Sequence, residues 1–440
     1  MKKITVIGGG LAGVETAYYL ARRGIKVRLI EAKPHKYTPA HRSPLLGELV
    51  CSNSLKSDDV YGNACGLLKE EMRVLGSLVV EAADRTRVPA GGALAVEREA
   101  FAAYITEKIE NEPLIERVHE EATVLPEADE ENIFVVATGP LTLNALAEDI
   151  SRRFGAGLHF YDASAPVVSA ESIDYAHTFT GDRYGKGTGD YINCPMTKEE
   201  YDVFVNELVS AEKVTLHDFE KREIFEGCMP VEIMASRGHD TLRFGNLKPV
   251  GLYDADGKRP YAVLQLRKEN AAGTAYNLVG CQTNLKFGEQ KRVFSIVPAL
   301  HNAEFLRYGV MHRNTYLNSP DVLSSDFTCR ENNNLYFAGQ ITGVEGYVES
   351  AASGLIVGVH IAEKLLAGKR VSFSPVTVCG ALSAYIAAPN ADFQPMNANY
   401  GVLPPLTNYT GRDKKEKKRL FAERALDEIK KMQSVLVKPV

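Results

Sequence analysis

Residues 3–13 read KITVIGGGLAG and residues 26–31 read KVRLIE, and these two stretches decide the fold. Lys3 to Gly8 has the continuous apolar character of a buried parallel strand. A glycine turn follows. From about Leu11 to Arg23 the residues Val14, Ala17, Tyr18 and Ala21 fall on one helical face. Gly24 stands where a C-terminal helix glycine stands, and Lys26 to Glu31 reads as the next strand. Together they make one complete βαβ unit with GxGxxG spacing at Gly8, Gly10 and Gly13. Gly8 permits the tight turn, Gly10 lets the backbone approach a pyrophosphate, and Gly13 lets helix and strand pack closely. The helix N-terminus offers N–H donors and a partial positive charge to phosphates. Glu31 ends the second strand, where an acid takes ribose hydroxyls. Gly8, Gly9, Gly10, Leu11, Ala12, Gly13 and Glu31 are therefore expected to hold a dinucleotide.

A second glycine constellation, GQITGVEGY at 339–347, follows the strand-like LYFAGQ and precedes a helix from about Ser350 to Leu366. A simple nicotinamide dehydrogenase has no need of a distant loop-to-helix element returning to the fold. FAD does, because the extended molecule reaches across the domain to a second helix N-terminus. Gly339, Gln340, Gly343, Gly346 and Tyr347 are its expected contacts. Ala137-Thr138-Gly139 closes another buried strand, beginning at Asn132, with a turn passing close to the cofactor.

At 440 residues the chain exceeds what one core usually covers. The expected fold is α/β: a discontinuous Rossmann-type FAD-binding domain at 1–183 and 281–440, with a smaller α+β insertion domain at 184–280. No apolar run approaches the roughly 18 to 20 residues of a membrane span, and MKKITVIGGG reads as a strand, so a cytoplasmic protein without membrane contact is expected. The net charge of −5 argues against a generally basic nucleic-acid binder and confines any RNA site to a local patch. The seven cysteines form no CxxC pair, so neither a metal site nor a disulfide scaffold is expected. Nothing in the sequence points to an obligate protein partner.

The strings GGGLAGVE, ELVCSNSLKSD, GGALAVER, YDASAPVV, KGTGDYINCPM, FEGCMPVE, AEFLRYGVMHRNTYLNSP and AGQITGVEGYVESAASGL run in order along nearly the whole chain. They resemble the bacterial folate- and FAD-dependent tRNA (uracil-5-)-methyltransferases. More distantly, the GQxxGxxGY loop is similar to that of the much longer flavin-dependent enzyme that modifies the wobble uridine of tRNA. The resemblance implies a one-carbon unit from methylenetetrahydrofolate, electrons from NADPH or NADH through FAD, and methylation of a T-loop uridine at C5. It places a nucleophilic cysteine at Cys228 in FEGCMPVE and a second functional cysteine at Cys51 in ELVCSNS. It sets Tyr347 near flavin and folate.

The chemistry explains the need for thiols. C5 of uracil is a poor nucleophile, and thiolate addition at C6 turns the ring into an enolate that attacks an electrophilic carbon. A base then removes the C5 proton so that the thiolate leaves. Gly227 and Pro230 around Cys228 suggest a turn, and Cys51 stands among Ser52, Asn53 and Ser54, an unusual setting for a core thiol. Which cysteine attacks stays open. The other five default to structure. For RNA, the stretch Arg412 to Lys431 carries nine Lys/Arg against five Asp/Glu. It reads as a solvated helix face or as a phosphate-contacting helix. Arg42, Lys56, Lys286, Lys291, Arg292, Arg307 and Arg313 are further basic candidates. Three alternatives stay open beside tRNA methylation: the same chemistry on ribosomal RNA, a small-molecule flavin oxidoreductase, and a non-enzymatic RNA-binding flavoprotein.

Overall fold

The structure is a computed structural model that describes residues 2–440 apart from 156–157, 186, 215–228, 255 and 408, and apart from the side chains of 158–162, 312 and 313. Lys3–Ile7 forms the centre of a sheet, with Ile4, Val6 and Ile7 buried. Ile4 lies opposite Val27 on one side and Ile133 on the other, both pairings parallel. The whole sheet runs Thr328–Cys329, Asn332–Phe337, Asn132–Val136, Lys3–Ile7, Val27–Glu31, Ile115–His119. The chain leaves Lys3–Ile7 toward Val27–Glu31 and later returns on its other flank at Asn132–Val136. That reversal leaves a crevice at the carboxyl ends of the strands, where open α/β sheets bind ligands.

The first helix spans Leu11–Ala21, ended by Arg22 and by Gly24 at φ +79°. It packs on Tyr347–Ala362 with the backbones nearly touching. A Cβ on Gly354 would collide with the Ala12 backbone, and Thr16 Oγ1 donates to the Gly354 carbonyl at 2.7 Å. The glycine at 354 therefore sets how closely the two helices approach. The Tyr347–Ala367 segment is long and apolar enough by composition to cross a membrane, and 78% of its most apolar window is buried inside this protein. It is the core helix of the lobe.

Two buried glutamates fasten neighbouring helices to this core. Glu15 accepts hydrogen bonds from Ser77 Oγ and the Leu78 and Val79 amides, at the start of Leu78–Arg85. Glu71 does the same for the Val378 and Cys379 amides, at the start of Val378–Ala387. Each occupies helix N–H groups that lack intrahelical partners.

The second sheet is antiparallel, in the order Phe179–Thr180, Ile192–Met196, Ala262–Lys268, Ala275–Leu278, Val167–Ser169, Phe305–Arg307. Its own core includes Tyr201, Phe204 and Leu208 of the helix Lys198–Ser210, which begins with a Thr197–Glu200 capping box. The sheet also draws on strands outside the expected inserted segment, 184–280. Val167–Ser169 sits between Ala275–Leu278 and Phe305–Arg307, so pairing recruits strands from both flanks of that segment. The change of character near Tyr184 marks a loop within the second lobe.

Candidate functional site

The carboxyl ends of the central strands and the two glycine loops enclose a cleft of about 1140 Å³, open solvent included. Gly8, Gly9, Gly10, Leu11, Ala12 and Glu31 line it from the first loop, and Gly339, Gln340 and Tyr347 from the second. Three expected contacts, Gly13, Gly343 and Gly346, stand behind its wall. A Cβ on Gly13 would strike the Gly8 carbonyl oxygen, so Gly13 serves helix–strand packing. Gly343 (φ +82°) and Gly346 (φ +116°) hold backbone angles that L side chains rarely adopt.

Gly10 differs from these. A Cβ there would meet nothing within 4 Å, yet the residue faces the cleft. The space in front of it is open for a ligand. Gly10 also begins Leu11–Ala21 with no side-chain cap, and Gly346 begins Tyr347–Ala362 in the same way. Two uncapped helix N-termini beside one cleft suit an extended molecule with a central pyrophosphate. Glu31 accepts from the Gly9 amide at 2.7 Å and the Lys33 amide at 3.0 Å. A carboxylate has roughly four acceptor sites, so capacity remains for ribose hydroxyls. These residues fit FAD.

The loop after Glu31 contributes wall residues that the sequence reading left as irregular chain: Lys33, Lys36, Thr38, His41, Glu48 and Val50. Lys33 Nζ donates to the Leu45 carbonyl at 2.5 Å and lies 3.5 Å from Glu48, folding the loop over the cleft. Burial, then the Lys33 charge, hold His41 below the usual imidazole range. Two cationic side chains and a histidine in the loop after Glu31 were the available signal.

Cys51 follows this loop. Its amide donates to Tyr347 Oη at 2.7 Å, and the Ser52 amide donates to the same oxygen at 3.2 Å. Cys51 Sγ lies 3.8 Å from the Ala163 carbonyl. The structure thus brings Cys51 against Tyr347, which lines the cleft together with Val50. Burial pushes the Tyr347 phenol above its ordinary range, so it stays protonated at neutral pH. Cys228 lies outside the described residues. The chain is described again from Met229, and Pro230 precedes the helix Val231–Ser236. Cys65, Cys194, Cys281, Cys329 and Cys379 are buried. Burial pushes the Cys65 thiol up to about 11 and that of Cys281 to about 12, which keeps both unreactive.

Several basic candidates are engaged within the protein. Lys286 pairs with Glu212 at 2.6 Å, Arg292 with Glu289 at 2.8 Å, and Lys56 with Glu349 at 3.3 Å. On the helix Lys414–Val435, Arg419 is held by Glu416 and Glu423, while Lys414, Lys415 and Lys417 are exposed.

Residues 3–369 match the family model for glucose inhibited division protein A. Across 440 residues the chain is 56% identical to a methylenetetrahydrofolate–tRNA-(uracil-5-)-methyltransferase TrmFO of Pelotomaculum thermopropionicum, covering 99% of both chains. This chain belongs to the TrmFO family. A second TrmFO, from Acetivibrio thermocellus, is 54% identical over 97% of this chain and 98% of its own. One from a Geobacter species is 56% identical over 97% of each. Among solved structures, Aquifex aeolicus GidA superposes with a TM-score of 0.72 at 16% identity, covering 99% of this chain and 76% of that one. That likeness carries the fold. The TrmFO matches extend over both lobes, so the Cys51 loop and the segment around Cys228 both lie within the matched length.

Proposed function

We propose that this protein methylates C5 of a T-loop uridine in tRNA, with methylenetetrahydrofolate as carbon donor, FAD as redox cofactor and NADPH or NADH as reductant. The relatives' names specify tRNA, which favours tRNA over ribosomal RNA. The reading is of a cytoplasmic enzyme whose RNA contacts come from local basic patches such as the exposed lysines at the start of Lys414–Val435.

The observation that carries the proposal is the Tyr347–Cys51 contact. It sets a thiol-bearing loop against the same cleft wall that the two glycine loops build. Contacts on the far side of Cys51 run toward the helix Val231–Ser236. Cys51 Sγ approaches the Ala163 carbonyl, the Ser164 carbonyl accepts from the Thr283 amide at 3.2 Å, and the Gln282 carbonyl accepts from the Val231 amide at 2.7 Å. Val231 is three residues from Cys228.

In this reading Cys228 adds through sulfur to C6 of the uracil, and Cys51 acts as its acid or base partner in removing the C5 proton. FAD, when bound, supplies the reduction that completes the methyl group. Tyr347 fixes the Cys51 backbone and closes the cleft beside it. The uridine must leave its stack to reach this site. Assay of tRNA and ribosomal RNA transcripts with carbon-labelled methylenetetrahydrofolate tests the function. Label in a tRNA T-loop is expected. Label confined to ribosomal RNA, or NADPH oxidation with no transfer to either, overturns it.

A further inference from the structure

Cys51, Ser52 and Asn53 stand outside any helix or strand, with Ser54–Ser57 beginning just after them. A connecting loop is ordinarily more mobile than the elements it joins. This one is held from three elements at once. Arg98, first residue of the helix Arg98–Glu110, donates through Nη1 to the Leu49 carbonyl at 2.6 Å and through Nη2 to the Cys51 carbonyl at 3.0 Å. Arg267, on Ala262–Lys268 of the second sheet, donates through Nε to Asn53 Oδ1 and through Nη2 to Ser52 Oγ, both at 2.9 Å. Asn53 Nδ2 donates in turn to the Val96 carbonyl at 3.1 Å and the Lys268 carbonyl at 2.9 Å. Tyr347 takes the two amides. Both amides at 51 and 52, and the Cys51 carbonyl between them, are thereby fixed by side chains.

The two arginines come from different lobes, and one ion pair locks them in register. Arg98 Nε meets Glu269 Oε2 at 2.6 Å and its Nη2 meets Oε1 at 3.3 Å, a bidentate geometry. Glu269 directly follows Arg267's strand. Arg98 and Glu269 are largely buried, with side-chain exposures of 16% and 9%. A third guanidinium, Arg307, lies 4.0 Å from the same carboxylate, and its Nε and Nη2 have no hydrogen-bond partner among the described residues. Arg98 already satisfies Glu269 with a bidentate pair, so a second guanidinium beside that carboxylate is more than docking the lobes needs, whereas the positive charge suits a loop whose thiol works as a thiolate.

We propose that Arg98 and Arg267 are positioning residues for the Cys51 thiol, so that docking of the second lobe on the first sets where that sulfur sits. This rests on the reading of Cys51 as a functional thiol. The alternative is that the cluster only glues the lobes together.

The test uses full-length protein with FAD bound. It compares Arg98→Ala, Arg98→Lys and Arg267→Lys for flavin content, thermal midpoint, kcat and tRNA KM. It also follows the rate at which iodoacetamide alkylates Cys51, by peptide mass spectrometry. Displacement of a reacting group by an ångström is expected to lower kcat on the order of 100-fold in Arg98→Ala. KM for tRNA should stay within about threefold, the signature of a loss confined to the reacting complex. Arg98→Lys keeps the pair with Glu269 but reaches only one carbonyl, and should recover roughly tenfold of the loss. Arg267→Lys, which loses the fork to Ser52 and Asn53, should change Cys51 alkylation more than about fivefold at unchanged flavin content. Lower thermal midpoints with unchanged kcat and alkylation in both lysine variants would overturn the proposal in favour of glue. Cys51→Ala is the control. If it methylates tRNA at the wild-type rate, the functional reading of Cys51 fails, while the alkylation rates still report whether the arginines place the sulfur.

Discussion

Tyr347 Oη accepts the backbone amide of Cys51 at 2.7 Å, joining the N-terminus of the core helix to a loop 296 positions earlier in the chain. Removing that oxygen in Tyr347→Phe leaves two amides without their acceptor but keeps the ring that lines the cleft. The variant should stay yellow and lose about 1–3 kcal/mol of stability. Its methyl transfer should fall about tenfold or more, because the Cys51 loop is no longer held. Flavin absorbance, urea unfolding and a labelled-folate assay measure the three effects. Wild-type turnover would show that the contact is dispensable.

Gly10 and Gly13 should separate cofactor binding from folding. Gly10 faces open space, so Gly10→Val should fold and purify colourless, its side chain occupying the pyrophosphate position. Gly13→Val drives a side chain into the Gly8 carbonyl and should fail to accumulate as folded protein. Circular dichroism together with flavin absorbance decides both cases. A yellow Gly10→Val would remove the first loop from the binding site.

Cys228→Ala should keep its flavin but form no covalent adduct with RNA carrying 5-fluorouracil, which traps the thiol addition at C6. Denaturing gel electrophoresis of the labelled RNA reads this directly. If the adduct persists in Cys228→Ala and disappears in Cys51→Ala, the roles of the two cysteines are exchanged.

Glu15 is fully buried, and burial raises its carboxyl from 4.5 to about 7 against the opposing amide bonds. In the unfolded chain it ionises near its ordinary value, so between about pH 4.5 and 7 the folded state holds a proton that the unfolded state has released. Stability from this group is therefore complete below pH 4.5 and is lost as pH rises through 7. Glu71, raised to about 7 for the same reason, adds to the trend. Glu15→Gln should flatten the fall in stability between pH 5 and pH 8 by about 2 kcal/mol, measured by urea unfolding of the flavin-free protein. An unchanged slope would mean that Glu15 ionises normally in the fold.

The sequence by itself determined the parts that depend on local chain geometry. GGGLAG after an apolar strand specifies a turn and a helix start wherever it occurs, because glycine alone tolerates those angles and approaches. The same holds for the turn at Gly343 and Gly346. The dinucleotide cleft was therefore legible, except for Lys36, Thr38 and His41, whose loop has no periodicity to read. Tertiary structure decided everything that depends on which distant elements meet. Pairing of Val167–Ser169 with both Ala275–Leu278 and Phe305–Arg307 joined segments far apart in the chain into the second sheet. The meeting of Arg98, Glu269 and Arg267 around Cys51 is likewise invisible in sequence. Ion pairs and side-chain hydrogen bonds have no sequence period, and their partners here stand 171 and 214 positions apart.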